Sequence, residues 1–225
     1  MQKNISIPYK TYQGTDVTNI DIWCSGGIDS TLLLYMIVKK MQEENHPGTL
    51  QPICVDRRKE VLTTKIVIDK IIELTQFKNI NELIIVDHID DDLKVPIEKY
   101  ELERATEGKT QLTYTGINKN PPPDWPKEDV LEEDVRGENA VRILEYYSIN
   151  VAGNKEFEQW WKFPLISTNK KEIAKLYKEY NLLDNLLPLT VSCSRCGAYG
   201  KYNTWPEPCG KCSQCKQKFW GFNFY

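Results

Sequence analysis

The sequence predicts an α/β protein built on a doubly wound, mostly parallel sheet, followed by a small cysteine-rich segment. Strands and helices alternate along the N-terminal part of the chain, a glycine-rich turn joins the first strand to the first helix, and five cysteines crowd near the C-terminus. A strand-helix-strand-helix-strand order gives a parallel sheet with right-handed crossovers. We place the larger domain at residues 1–190 and the cysteine-rich module at residues 191–225.

Three apolar segments and the helices between them carry the fold prediction. Short apolar runs predict strands at residues 20–23, 50–56 and 82–87. A helix over residues 31–41 follows the glycine-rich turn, and apolar residues at helical spacing predict another over residues 59–77. Ligands of such sheets bind beyond the carboxyl ends of the strands. The residues at those ends are Ser25, Asp56 and Asp87.

The middle of the chain is less regular. The acidic residues 87–96 predict a loop, and residues 111–115 predict a further strand that stops at Gly116. The prolines at positions 121–123 exclude a regular helix or a central strand, so we expect a surface excursion or lid there. The remaining helices are expected at residues 135–148 and 170–180.

Composition excludes several classes of protein. Hydrophobic content of 40% and charged content of 27% are typical of a globular protein. A formal net charge of −3 gives no basic face for broad nucleic-acid binding, so we expect no direct binding of nucleic acid. The N-terminus lacks a signal-like apolar region, and no apolar run reaches the roughly 18 residues of a membrane span. We therefore expect a cytoplasmic protein that does not bind membranes.

The turn after the first strand reads Ser25-Gly26-Gly27-Ile28-Asp29-Ser30. Backbone N–H groups of a tight turn and the helix N-terminus together make an anion site, and glycine lets phosphate oxygens approach closely. The two serine hydroxyls can donate hydrogen bonds, and a carboxylate beside phosphates is expected to bind Mg²⁺. The alternative is a structural turn in which Asp29 simply favours the positive helix end. The motif differs from the G-x-x-x-x-G-K-[ST] loop.

The cysteine cluster is typical of a metal site. Structural Zn²⁺ takes four thiolate or imidazole ligands, commonly from C-x₂₋₄-C pairs. Scattered free cysteines and a redox C-x-x-C are the alternatives, but three cysteines at one spacing and a distant partner favour metal. Five candidates compete for four places: Cys193, Cys196, Cys209, Cys212 and Cys215.

Two stretches of the sequence, one at the glycine-rich turn and one at the cysteine cluster, resemble a known family. "SGGIDST" looks like the pyrophosphate-loop signature of the N-type ATP pyrophosphatases, and "TVSC…EPCGKCSQCKQKFWGF" is similar to the zinc module of the 7-cyano-7-deazaguanine synthase family. The resemblance implies an adenine-nucleotide alpha-hydrolase-like fold with ATP, Mg²⁺ and Zn²⁺ as cofactors. It also implies Cys193, Cys209, Cys212 and Cys215 as zinc ligands, with Cys196 as the alternative ligand.

The same resemblance assigns site residues. Asp29, Ser25 and Lys170 are implied as catalytic, although a solvated surface lysine is the alternative for Lys170. Gly116 and Asn118 match the family's Gly-Arg-Asn substrate motif, in which Ile117 replaces arginine here. The implied nucleotide-binding residues are Ser25, Gly26, Gly27, Ile28, Asp29, Ser30, Cys54 and Asp56.

Three hypotheses about function follow. The family resemblance implies ATP-dependent conversion of 7-carboxy-7-deazaguanine and ammonia to 7-cyano-7-deazaguanine, a step of queuosine biosynthesis, by a homodimer. The second hypothesis keeps ATP but changes the acceptor or stops at the amide, with tRNA thiolation as a weaker variant based on Cys24. The third is a non-catalytic module that binds a nucleotide or a partner. Asp29 favours an enzyme, since pure binding would tolerate its loss.

Overall fold

A computed structural model describes residues 7–11, 13–56, 60–87, 94–119, 121–122, 125, 160–193 and 208–224. Within these ranges it contains five strands and five α-helices. The strands are β1 (Asn19–Trp23), β2 (Thr49–Asp56), β3 (Ile84–Asp87), β4 (Leu112–Thr115) and β5 (Trp161–Lys162). The helices are α1 (Ile28–Glu43), α2 (Glu60–Thr75), α3 (Lys94–Thr106), α4 (Lys170–Glu179) and α5 (Ser213–Phe222), and a 3₁₀ turn covers Leu187–Leu189.

All five strands run parallel in the order β3-β2-β1-β4-β5. β1 lies at the centre, with Ile20 opposite Leu50 of β2 on one side and Leu112 of β4 on the other. The order reverses between β1 and β4, and the carboxyl ends of these two strands therefore border the crevice where such sheets bind ligands. This confirms the predicted α/β class.

Helices cover both faces of the sheet. Alternate side chains of β1 point to opposite faces, so they show which helices lie on each side. Ile20 and Ile22 are fully buried in one hydrophobic core with apolar residues of α1, α2 and α4. Asp21 and Trp23 point to the other face, where α3 covers them. The sheet is therefore wound on both sides, as the sequence predicts.

Several element boundaries differ from the predictions. α1 begins at Ile28 rather than at residue 31, so the glycine-rich turn passes directly into the helix. α3 was missed: its first residues were predicted to belong to the acidic loop at 87–96, and its inward side chains are polar. β5 and α5 were not predicted either. The helix predicted at residues 135–148 and most of the expected lid lie outside the described residues.

Among the described residues, no helix combines the length and the apolar character that a membrane span requires.

Candidate functional site

The turn after β1 requires a glycine at position 26. Gly26 has φ of +65°, and a Cβ there would lie 2.4 Å from Cγ2 of Thr63 on α2. The positive φ turns the backbone sharply at the sheet edge, and Gly27 then caps α1 in an extended conformation. The conformation leaves the first residues of α1 facing the carboxyl end of the sheet.

Two serine hydroxyls close the turn. Oγ of Ser25 and Oγ of Ser30 are 3.2 Å apart, and the Ser25 backbone N–H donates to Ser30 Oγ at 3.2 Å. The Gly27 N–H points to Ser25 Oγ at 3.4 Å, while the Ser30 hydroxyl donates to the Gly27 carbonyl at 3.3 Å. The structure therefore brings together the predicted residues 25–30 in one compact turn that is closed by hydrogen bonds between its hydroxyl and backbone groups.

Asp29 forms a buried ion pair with Lys170. The ammonium of Lys170 donates to Asp29 Oδ2, and the side chains are 1% and 19% exposed, respectively. Nδ2 of Asn118 lies 3.5 Å from the other carboxylate oxygen. Lys170 is thus not the solvated surface lysine that was its alternative, and three predicted residues from distant parts of the chain meet at Asp29.

The pair also joins the N-termini of two helices. Asp29 lies in the first turn of α1, and Lys170 is the first residue of α4. Asn169 caps α4 and forms a capping box with Glu172, which fixes the start of that helix. Two positive helix ends and an ammonium facing one carboxylate favour binding of a further anion.

Gly116 places the end of β4 against the first turn of α1. A Cβ at Gly116 would lie 2.8 Å from both N and Cα of Ser30, so only glycine permits this approach. Asn118 follows two residues later and is 3% exposed. The predicted substrate residues Gly116 and Asn118 therefore lie beside the turn at the β1–β4 crevice.

The predicted nucleoside residues lie one strand away, at the end of β2. Asp56 is exposed, whereas the Cys54 side chain is fully buried and accepts from Thr64 Oγ1 at 3.5 Å. Burial raises the pKa of the Cys54 thiol to about 12 and raises that of Cys24 well above its usual value. Neither thiol is therefore a ready nucleophile, which weighs against the thiolation variant based on Cys24.

Four cysteines form a cluster that could hold a metal ion. The sulfurs of Cys193, Cys209, Cys212 and Cys215 all lie within 4.8 Å of one another. The Cys209–Cys215 and Cys193–Cys212 sulfurs are 3.9 and 3.8 Å apart. Zn–S bonds of about 2.3 Å place sulfurs about 3.8 Å apart in a tetrahedron. Cys196 lies outside the described residues.

The chemistry of the cluster also fits one cation. The neighbouring thiols of Cys193 and Cys212, and then burial, raise the pKa of Cys215, so four thiolates at this spacing need a positive charge among them. The N–H groups of Cys212 and Cys215 point to sulfurs at 3.3 and 3.4 Å, as in turns that hold thiolates.

The chain segment before Cys193 lies along the glycine-rich turn. The Val191 N–H donates to the Gly26 carbonyl at 3.0 Å, and the Ile28 N–H donates to Ser192 Oγ at 3.0 Å. Tyr177 of α4 donates its hydroxyl to the Ile28 carbonyl at 2.8 Å. Ser192 and Tyr177 were not predicted, because contacts between residues so far apart in the chain leave no local pattern.

No protein-family model matches the chain, and no curated protein matches it. Among solved structures, the U34-tRNA thiolase NcsA from Methanococcus maripaludis with its [4Fe-4S] cluster aligns with a TM-score of 0.46 and 16% identity. That alignment covers 77% of this chain and 61% of the thiolase, so the chain spans about three fifths of the thiolase's length. NAD+ synthetase from Burkholderia pseudomallei aligns with a TM-score of 0.31 and 12% identity over 93% of this chain and 75% of that one. Likenesses this distant carry no argument about function.

Proposed function

We propose that the chain is a pyrophosphate-loop enzyme that uses ATP to adenylate an oxygen of its substrate and releases pyrophosphate. The buried Lys170–Asp29 pair at the Ser25–Ser30 turn is the observation that carries this proposal. A simple anion-binding turn does not require a carboxylate at its centre, whereas a site for Mg²⁺ and a polyphosphate does. The pair supplies both signs of charge at the β1–β4 crevice.

In this proposal each residue at the turn has its own role in binding ATP and Mg²⁺. The N–H groups and hydroxyls of residues 25–30 hold the β- and γ-phosphates, and Asp29 holds Mg²⁺, which neutralises charge on the departing pyrophosphate. Lys170 then turns from Asp29 to the phosphates or the adenylated intermediate. The exposed Asp56 lies on the nucleoside side of the crevice, at the end of β2.

The acceptor in this proposal is a deazapurine carboxylic acid, which ammonia converts through an amide to the nitrile. The carboxylate oxygen attacks the α-phosphorus, the bond to the bridging oxygen breaks, and pyrophosphate leaves. Ammonia then displaces AMP and loses a proton to give the amide. A second adenylation, at the amide oxygen, again releases pyrophosphate, and loss of AMP together with both N–H protons then forms the nitrile. Gly116 and Asn118, beside the turn, are the residues proposed to face this acceptor.

A second candidate differs only in the acceptor. Ile117 stands where the deazaguanine family has arginine, and it lies between Gly116 and Asn118 beside Asp29. A site without that cation favours a different acid, or a reaction that ends at the amide. Zn²⁺ at the four clustered cysteines has a structural role in both candidates.

Pyrophosphate release tests both candidates. Zinc-loaded protein is incubated with ATP and Mg²⁺, with and without 7-carboxy-7-deazaguanine and ammonia, and the products are identified by mass spectrometry. A nitrile product supports the first candidate. An amide product, or release that depends on another acid, supports the second. Protein that binds a nucleotide but releases no pyrophosphate with any acid would contradict the enzyme and favour a binding module.

A further inference from the structure

Helix α1 obtains its N-terminal cap from the metal-binding segment rather than from its own sequence. Its N-cap residue is Gly27, which has no side chain, and no side-chain cap forms locally. Ser192 supplies the missing acceptor, because its Oγ takes the Ile28 N–H at 3.0 Å. The neighbouring Val191 N–H donates to the Gly26 carbonyl at 3.0 Å. These two hydrogen bonds hold residues 191–192 against the turn.

The Ser192 hydroxyl is placed to bind a phosphate as well as the helix. A serine hydroxyl accepts hydrogen bonds and donates one. Its acceptor side is used by Ile28, and no described residue takes its proton. A Cβ built on Gly27 would lie 3.4 Å from this oxygen, so the hydroxyl stands directly beside the turn.

We propose that Ser192 is a further polyphosphate-binding residue, whose hydroxyl accepts from the Ile28 N–H and donates its proton to a phosphate oxygen of ATP. The inference rests on the proposed function and extends it to a residue of the C-terminal module. Because Ser192 directly precedes Cys193, whose sulfur is 3.8 Å from that of Cys212, the metal site holds the hydroxyl in position. Polyphosphate affinity and metal occupancy are therefore linked, and the linkage is reciprocal.

Calorimetric titration of zinc-loaded protein with inorganic pyrophosphate, a non-hydrolysable ATP analogue and adenosine tests this role. S192A is expected to bind pyrophosphate and the analogue at least about tenfold more weakly, since it loses a hydrogen bond to a charged group. Its adenosine affinity is expected to stay unchanged, and S192T is expected to restore most of the loss. The matched control is S213A. It also removes a serine hydroxyl next to a clustered cysteine, Cys212, but the Ser213 hydroxyl accepts a hydrogen bond from Gln217 and does not contact the turn.

Zinc content and thermal stability are measured for every variant, so that a folding defect is recognised. In zinc-stripped protein, wild type and S192A are expected to bind pyrophosphate equally weakly. Equal pyrophosphate affinity of zinc-loaded wild type and S192A would overturn the proposal, as would a parallel loss of adenosine binding or an unchanged affinity in stripped wild type. Wild-type protein that binds neither pyrophosphate nor the ATP analogue would instead overturn the proposed function itself.

Discussion

Lys170 and Asp29 form an ion pair at the glycine-rich turn. Lys170 is the first residue of α4, where the helix end disfavours a cation, and its side chain is almost completely buried. A position of this kind costs stability unless a carboxylate faces it. Asp29 is the carboxylate that faces it here, so the stability of this position depends on the pair.

Removing the carboxylate is expected to separate stability from activity. D29N removes the carboxylate charge that faces the buried Lys170 ammonium, and we expect a loss of about 3 kcal/mol in the free energy of unfolding. The double variant D29N/K170M removes both charges and is expected to recover most of that loss. Neither variant is expected to release pyrophosphate. Urea denaturation and a pyrophosphate assay measure the two effects, and turnover by D29N would contradict the proposed metal-binding role.

Gly26 is expected to tolerate no side chain, because of its positive φ and because of its close approach to Thr63. A variant at Gly108 separates these two causes. G26A adds a Cβ at φ of +65° and places it 2.4 Å from Thr63. Gly108 has a similar φ of +68° with nothing within 4 Å of the added Cβ, so G108A reports the backbone cost alone.

We expect G108A to cost about 1 kcal/mol in unfolding free energy and G26A clearly more, with loss of nucleotide binding in G26A only. Chemical denaturation and calorimetric titration measure these effects. Equal destabilisation of the two variants would show that Thr63 yields to the added methyl group and that the close approach of α2 does not constrain the turn.

Helix α3 joins the sheet through a polar network instead of an apolar stripe. Arg104 holds both carboxylate oxygens of Asp21 on β1, at 2.6 and 2.9 Å. Glu101 is fully buried and accepts from Trp23 Nε1 and from the Thr113 hydroxyl. Burial, and then the charge of Asp21, raises the pKa of Glu101 to about 7.

This network explains where prediction from the sequence failed. The helices α1, α2 and α4 were predicted because apolar side chains face their common core, whereas α3 directs Glu101 and Arg104 inward and leaves Leu102 exposed. Apolar periodicity therefore could not find it. Residues 25–30 were predicted because the turn chemistry is local. The partner of Asp29 came from a resemblance, and Ser192 required knowledge of a contact across the chain.

The free energy of unfolding is expected to fall with rising pH because of Glu101. Its folded-state pKa of about 7 exceeds the unfolded value near 4.5, so the folded state binds the proton more tightly. The contribution of Glu101 to the free energy of unfolding is then fully present below about pH 4.5. It is lost progressively up to about pH 7, by about 3 kcal/mol in total. E101Q removes the titration and is expected to flatten this decline.

Urea denaturation between pH 5 and 8 compares wild type, E101Q and the control E103Q, whose side chain lies on the exposed side of α3. The gap between wild type and E101Q is expected to change across this range, while E103Q follows wild type. Parallel pH profiles of wild type and E101Q would contradict the raised pKa of Glu101.

In the described part of the chain, the C-terminal residues both join the core of the sheet and contact the candidate site. Phe222 of α5 is buried in the same apolar core as the sheet and packs on Tyr177 of α4, while four cysteine sulfurs of the C-terminal segment lie together. This segment contacts the site through Val191 and Ser192 on the turn, and through Gly221, where a Cβ would lie 2.7 Å from the Lys170 carbonyl oxygen. Metal binding at the sulfurs is therefore expected to order the site without being required by the sheet.

Metal content is expected to identify the ligand set. We expect one zinc ion per chain in wild type and in C196S, and loss of zinc in C193S and C212S, because three thiolates bind zinc much more weakly than four. Elemental analysis of purified variants measures this. Zinc retained by C193S but lost from C196S would show that Cys196 is a ligand in place of Cys193.

Removal of the metal is expected to loosen the cysteine-bearing segment and leave the sheet folded. Because metal binding stabilises mainly the segments that it joins, chelation should increase amide hydrogen exchange in residues 208–216 and in the turn at residues 25–30, while β1 and β2 stay protected. Exchange in wild type is compared before and after chelation, with zinc added back as the control for reversibility. Loss of protection throughout β1 and β2 would show instead that the metal holds the whole fold, and that the turn is not selectively dependent on it.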